Sequence, residues 1–140
     1  MMRHTALGLL FSSSIFVAAC ASSSTPTTPT AGSAATTTET FSGSIGQSGN
    51  ATYPFTVSST GAVQVGLTSV APLATMALGV EITTGGTSCG SAVAKNDNAR
   101  SGGTALTGTA AAGSYCVEVY DSGNIPDSTT VTYTVQVGHP

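Results

Sequence analysis

The chain has 140 residues and a formal net charge of −3, and only 6% of its residues are Asp, Glu, Lys or Arg, against about 25% in an ordinary soluble domain. Ser and Thr together occupy 43 positions and Gly occupies 17, so the chain is long enough for one domain and is mainly apolar and neutral polar. Three Lys and Arg residues are too few for a nucleic-acid-binding surface, and the low net charge is untypical of a charged disordered tail.

The first 19 residues have the organisation of an export signal. Arg3 gives a positively charged start, and the apolar stretch 6–19 is too short to span a bilayer comfortably. It leads into the sequence Val-Ala-Ala-Cys at 17–20, which resembles the bacterial lipobox, where the signal is cleaved before an acylated cysteine. We expect 1–19 to be a lipoprotein signal peptide and Cys20 to anchor the protein in a membrane; the alternative is a plain secretory signal with an incidental cysteine.

The segment after this cysteine predicts a tether. Residues 21–38 are rich in Ser, Thr and Pro, with no charge and no aliphatic residue larger than Ala. Such a segment cannot bury enough apolar surface to offset the entropy of ordering, so we expect 20–38 to be a lipidated cysteine followed by a flexible linker. Ala21 stands where many lipoproteins kept in the inner membrane have Asp, so the resemblance favours the outer membrane or the cell surface.

The residues from 39 to 140 predict strands. Apolar and polar residues alternate with period two, the pattern of half-buried strands, and Gly, Asn, Asp and Ser separate the runs. Seven to eight short strands at this spacing predict an all-β domain, an antiparallel β-sandwich of the jelly-roll type. Pro54 predicts that its strand lies at an edge of a sheet or that the strand ends there. The expected strands are 41–45, 53–57, 63–68, 76–82, 104–109, 115–120 and 131–137.

Three cysteines are an odd number, but one of them is accounted for by lipid. With Cys20 acylated, Cys89 and Cys116 are left, and in an oxidising envelope we expect them to form a disulfide. Cys116 lies on the outward face of an expected strand and Cys89 in a Gly-rich loop, so the bond would fix that loop to the sheet. A reactive dithiol is the alternative, but it lacks the Cys-x-x-Cys spacing and a basic neighbour.

The sequence does not predict an enzyme. Downstream of the signal it has one histidine, His139, and an imidazole next to last in a sequence rarely obtains the packing and second hydrogen bond of a catalytic triad. Zinc chemistry would lack three N or S ligands once the cysteines are paired. Glu81 and Glu118 lie on outward strand faces, where a solvated carboxylate is a more common interpretation than half of a glycosidase pair.

Two non-catalytic functions are left open. One is a binding or structural β-sandwich, anchored by lipid, whose weakly charged surface contacts another envelope protein. The alternative is a calcium-assisted carbohydrate-binding or adhesion module at the cell surface. Asn96, Asp97, Asn98 and Asp121 offer the oxygen ligands that Ca²⁺ prefers, in expected loops, although Asx residues there are more often turn formers. Tyr120 is the most outward aromatic side chain and hence the candidate for contact with a sugar.

The order of motifs in 39–138 resembles the bacterial pre-peptidase C-terminal domain. The similarity is carried by Phe-Ser-Gly-Ser-Ile at 41–45, Tyr-Pro-Phe-Thr-Val at 53–57, Gly-Ala-Val-Gln-Val-Gly-Leu at 61–67, and the segments 112–119 and 132–137. The resemblance implies a non-catalytic jelly-roll sandwich of exported proteins that aids secretion or binds surfaces, sugars or matrix proteins, in some cases with calcium. The sequence departs from the family pattern at 73–78, where an acidic residue and a longer aliphatic strand are common.

Overall fold

The computed structural model describes residues 37–85 and 88–140, and these form eight strands and no helix. The signal peptide, Cys20 and the expected linker up to residue 36 lie outside the described residues. The first strand begins at Thr37 rather than at residue 41, so it includes the last two residues of the expected linker. The strands are β1 Thr37–Ile45, β2 Asn50–Val57, β3 Gly61–Ala71, β4 Leu78–Thr84, β5 Ala92–Ala99, β6 Gly103–Ala110, β7 Gly113–Tyr120 and β8 Val131–His139. Over the described ranges, a search for helices that could cross a membrane finds none.

The strands form two four-stranded antiparallel sheets, which confirms the prediction of an antiparallel β-sandwich. The first sheet has the order β1-β8-β3-β6 and the second the order β2-β7-β4-β5. Strand β2 is an edge strand, as Pro54 predicted, because proline has no N–H to donate to a further strand. Of these pairings only β4 with β5 joins strands that are adjacent in the sequence.

The core lies between the sheets and is built from the inward positions of the alternating runs. On β3 and β8 every second residue is buried, as the period-two pattern predicted. Each fully buried aliphatic side chain is worth about 1.5–3 kcal/mol relative to an exposed one, so these rows are the main source of stability. The fully buried members of the core include Val57, Val65, Leu67, Leu78, Val80, Val117, Val119, Val131, Val135 and Val137.

Strand β5 is the main element that the sequence pattern did not indicate. Asn96, Asp97 and Asn98 lie within it, so the expectation that they occupy a loop is wrong. Asn and Asp commonly form turns, so this run did not indicate a strand. Its burial also differs from that of a typical half-buried strand, because the apolar Val93 is exposed whereas the polar Asn96 pairs with the buried Val80 and faces inward. The strand forms because β4 supplies its backbone partners.

The predicted disulfide is confirmed. Cys89 and Cys116 are bonded with a Cα–Cα distance of 5.7 Å. In the register of the second sheet Cys116 pairs with Thr83 and with Pro54, on the outward side of β7, yet it is fully buried. The segment that carries Cys89 is thereby held against the outer surface of β7, which is the restraint expected from the sequence.

Candidate binding surfaces

Half of the charged residues that the structure describes lie on one surface. The ranges 37–85 and 88–140 contain eight Asp, Glu, Lys and Arg residues. Four of them project from the outer side of the second sheet: Glu118 on β7, Glu81 on β4, and Lys95 and Asp97 on β5. Together with Tyr120 on β7 they form what we call the charged face.

Tyr120 joins three strands of this face. It pairs with Gly79 on β4, and its ring lies so close to that backbone that any side chain at Gly79 would overlap it. The hydroxyl donates a hydrogen bond to Asp97 Oδ1 on β5. Lys95 Nζ lies 3.2 Å from the same oxygen and 5.3 Å from the centroid of the Tyr120 ring. Tyr120, the outward aromatic predicted from the sequence, is therefore held by its own sheet.

Partial burial and the charges around Tyr120 keep its hydroxyl protonated at neutral pH. Partial burial, together with the neighbouring Asp97, raises the pKa of Tyr120 well above its usual range. The hydrogen bond from Tyr120, assisted by Lys95, lowers the pKa of Asp97 despite some desolvation. At neutral pH the phenol is therefore a donor and the carboxylate an ionised acceptor. This arrangement orients both groups and leaves neither suited to transfer a proton near pH 7.

Two carboxylates of the charged face stand directly opposite each other. Glu81 on β4 pairs in register with Glu118 on β7 and, on its other side, with Lys95 on β5. Asn50 Nδ2 donates a hydrogen bond of 2.7 Å to Glu118 Oε1. Like charges directly opposite on a sheet destabilise it. With three carboxylates and one ammonium group, the charged face is net negative.

Asp121, one of the expected calcium ligands, organises a loop. Its Oδ1 accepts hydrogen bonds from the backbone N–H groups of Gly123, Asn124 and Ile125 at 2.9, 2.9 and 3.1 Å, and its Oδ2 accepts one from Ser48 at 2.9 Å. Desolvation alone would raise the pKa of Asp121, but these four donors hold it below its ordinary value. Gly123 has a φ of +93°, which glycine adopts without strain. The carboxylate thus joins the β7–β8 loop to the β1–β2 turn.

The other expected calcium ligands also have partners. Asn96 Nδ2 donates to the carbonyl of Ala105 at 2.8 Å and its Oδ1 accepts from the N–H of Asn98 at 2.9 Å, while Asp97 is bonded to Tyr120. Across the residues with described positions, no group of three or more His, Cys, Asp and Glu is placed to hold a metal ion. Calcium binding stays a prediction.

His139 is packed more firmly than the sequence suggested. Its side chain is buried, with 3% of the residue exposed, and its Nε2 lies 3.0 Å from Glu39 Oε1. The ring is 5.4 Å, centroid to centroid, from that of Phe55. The expectation that this imidazole would lack packing is therefore wrong, because the pairing of β1 with β8 encloses it. Its hydrogen bond to Glu39 joins the two strands.

An apolar cleft opens where the edge strands β5 and β6 face each other. Its volume is about 380 Å³. It results from small residues at inward positions: on β6, Gly108 pairs with the buried Val63, and a Cβ at Gly108 would meet no atom within 4 Å. Ala94 and Ala110 also line the opening. The larger side chains in its lining are those of Phe55, Val63, Ile82, Val93, Leu106 and Tyr115.

The outer surface of the first sheet, unlike the charged face, carries neutral side chains. Its exposed positions are Thr, Ser, Gln, Ala and Gly, and their side chains bond to one another across strands. Gln64 Nε2 donates to Thr104 Oγ1 at 2.8 Å, and the hydroxyls of Ser42 and Thr134 lie 3.1 Å apart. This surface is uncharged and hydrogen-bonded to itself, so it serves below as the control surface.

The chain has limited similarity to known proteins. No protein-family model matches the chain, and no curated protein matches it. Among solved structures, the chain is similar to Aeromonas hydrophila PliG, a periplasmic lysozyme inhibitor of g-type lysozyme, with a TM-score of 0.49 and 14% sequence identity over 75% of this chain and 86% of that chain. The resemblance to the pre-peptidase C-terminal domain stays a prediction.

Proposed function

We propose that this chain is an exported, lipid-anchored, non-catalytic protein of the cell envelope that binds a partner protein through the charged face. The observation that carries the proposal is the direct opposition of Glu81 and Glu118 in the middle of that face. Like charges in this position weaken a sheet, where an opposite-charge pair would add about 0.2–1 kcal/mol. In a chain with so few charges, such a placement favours a role in binding over a role in stability.

The chemistry of the face suggests the chemistry of its partner. Asp97 accepts a hydrogen bond from Tyr120 and lies beside Lys95, and Glu118 accepts one from Asn50. Tyrosine is enriched at protein interfaces, and complementary potentials select the partner and speed its encounter. The proposed partner is therefore a basic surface of another envelope protein.

Export is supported by the disulfide between Cys89 and Cys116, because such bonds persist in oxidising compartments. The lipid anchor is proposed from Cys20 and its signal, on the outer membrane or cell surface. Mass spectrometry of the N-terminal peptide should find acyl chains on Cys20, and Cys20→Ala should release the protein from the membrane fraction. An unmodified Cys20 in a chain that stays soluble would contradict the anchor.

A non-catalytic role is supported by how the reactive side chains are used. Within the part of the chain that the structure describes, the single imidazole, His139, is engaged with Glu39. Asp121 is bonded to four backbone N–H groups. These partners engage the two groups in contacts that join strands and loops.

The test compares an isosteric charge variant with a control variant in capture from envelope extract. The double variant Glu81→Gln, Glu118→Gln removes two charges from the charged face, and Gln64→Ala with Gln136→Ala alters the control surface on the first sheet. We expect one partner to be captured by the unmodified chain and by the control variant, and about tenfold less by the charge variant, in a salt-sensitive manner. Equal capture by all three proteins would overturn the charged face as the binding site.

Calcium-assisted carbohydrate binding or adhesion is the alternative proposal, with Asn96, Asp97, Asn98 and Asp121 as ligands and Tyr120 as the sugar contact. A glycan array with and without calcium, paired with thermal unfolding in both conditions, tests it. A glycan signal that requires calcium would favour the alternative. An unchanged melting temperature together with an empty array would exclude it.

A further inference from the structure

The two sheets have four edge strands, and three of them carry a feature that discourages pairing with a foreign strand. Strand β1 directs Glu39 at the buried His139, β2 contains Pro54, and β5 exposes Lys95 and Asp97. Inward charges, proline and exposed charges at edges are all known to prevent edge-to-edge association. Strand β6, Gly103–Ala110, has neither a charged residue nor a proline.

The beginning of β6 is protected in another way. The register between β3 and β6 shifts between Val65 and Gly66 and leaves Ala105 as an extra residue, a bulge of the kind that turns an edge away from other strands. The carbonyl of Ala105 also accepts the hydrogen bond from Asn96 Nδ2 at 2.8 Å. Within the part of the chain that the structure describes, the remaining stretch, 106–110, has none of these protective features.

This stretch borders the apolar cleft. Leu106, Gly108 and Ala110 are its inward positions, since Val65, Val63 and Gly61, their partners on β3, are buried. Gly108 contributes no side chain, so the space above Val63 is open. A volume of about 380 Å³ lies in the range of ligand pockets, about 300–1,000 Å³, and its apolar lining excludes a charged occupant.

We propose that residues 106–110 of β6 are a docking edge for an extended, uncharged strand of a partner protein, which pairs with the backbone of β6 and inserts one large apolar side chain into the cleft. Strand addition takes its affinity from main-chain hydrogen bonds and its specificity from pockets for alternate side chains. An unprotected edge beside an apolar pocket supplies both. A second copy of β6 is a poorer occupant, because it would offer mainly glycine and alanine to the cleft.

The experiment uses the full chain as exported by its host and a blocked peptide, Thr-Val-Thr-Trp-Thr-Val-Thr. The chain has no tryptophan, so the fluorescence of the indole reports on the peptide alone. The matched peptide Thr-Pro-Thr-Trp-Thr-Pro-Thr keeps the indole but cannot pair as a strand. N-acetyltryptophanamide represents a small apolar ligand, and hydrogen exchange measured by mass spectrometry reports which amides become protected.

Three variants separate the contributions of edge and cleft. Gly108→Val places a branched side chain in the cleft, Thr107→Lys puts a charge on the docking edge, and Thr56→Lys puts the same charge on the edge strand β2 as a control. We expect the strand peptide to bind with a blue-shifted indole and to slow exchange within 106–110. Gly108→Val and Thr107→Lys should each weaken binding by about tenfold or more, a factor easily resolved by titration, while Thr56→Lys leaves it unchanged.

Several outcomes would overturn the proposal. One is the absence of binding at millimolar peptide, and another is equal binding of the proline peptide or of N-acetyltryptophanamide, which would assign the cleft to a small apolar molecule. A chain that is dimeric in solution and becomes monomeric with Thr107→Lys would assign the edge to a second copy. Because the charged face lies on the other side of the second sheet, none of these results bears on the proposed function.

Discussion

Replacing Gly108 with valine adds a three-carbon side chain at a place where the fold has room for it. Gly108 faces the cleft, and a Cβ there would meet no atom within 4 Å. Each buried methylene-sized group is worth about 0.8 kcal/mol, and a glycine inside a strand costs roughly 0.5–1 kcal/mol relative to alanine. With about half of the new side chain removed from water, we expect Gly108→Val to raise the free energy of unfolding by about 1–2 kcal/mol.

The same substitution at Gly79 should lower the free energy of unfolding. A side chain there would overlap the ring of Tyr120, so the ring must move off β4 and its hydrogen bond to Asp97 would be broken. Forcing extra methyl groups into a filled site costs about 1–3 kcal/mol. Both substitutions replace glycine by valine in a strand, so the difference between them isolates the space around each position.

Urea unfolding followed by circular dichroism measures both changes, and thermal unfolding gives a second readout. For a domain of this size 1 kcal/mol corresponds to roughly 4–8 °C in melting temperature, so Gly108→Val should melt about 5–15 °C above the unmodified chain. The reasoning fails if Gly108→Val lowers the stability or leaves it unchanged, or if Gly79→Val is tolerated without loss. Either result would mean that the cleft, or the contact between Gly79 and Tyr120, is not as described.

Three further substitutions test other contacts. Replacing Cys89 and Cys116 by alanine opens a loop with a sequence separation of 27. This should lower the free energy of unfolding by about 3–4 kcal/mol. A decrease below about 1 kcal/mol in calorimetry would contradict this account of the disulfide. The lowered pKa of Asp121 means that its stabilisation is present above its unfolded-state pKa of about 3.9 and is lost as pH falls through the folded-state pKa. Asp121→Asn should therefore be less stable at pH 7 and converge with the unmodified chain in acid, and a difference that persists in acid would refute the linkage. Glu118→Gln keeps an acceptor and removes the repulsion from Glu81, so at low salt it should stabilise by about 0.2–1 kcal/mol; destabilisation at low salt would argue against the repulsion.

Local alternation was sufficient to predict most of the sandwich. The runs around Val65 and Val135 have apolar residues at every second position, and both are buried. Strand β5 was not predicted because its polar and apolar residues do not follow the pattern: Asn96 faces inward, whereas Val93 is 56% exposed. Which side of an edge strand is buried depends on the neighbouring strand and on the opposite sheet, and neither is encoded in its own sequence.

The candidate sites depended on register, which the sequence pattern does not contain. Tyr120, Gly79 and Asp97 come from three strands and meet only because β7 pairs with β4 and β4 with β5. The disulfide was predictable because the sequence predicts export and leaves two cysteines once Cys20 is assigned to lipid. The cleft beside Gly108 was not, since a glycine inside a strand indicates a bulge or a close approach as readily as an empty space.

The position of β8 has a consequence for how the domain is made. Strand β8, Val131–His139, lies between β1 and β3 in the first sheet, so among the described strands β1 has no partner until β8 has been synthesised. Pairings between strands far apart in the sequence form slowly, so β1 would stay unpaired until β8 emerges, whereas β2 to β7 have partners among themselves. The first sheet is therefore completed last, and this delay is compatible with the proposed export of the chain across a membrane before it folds.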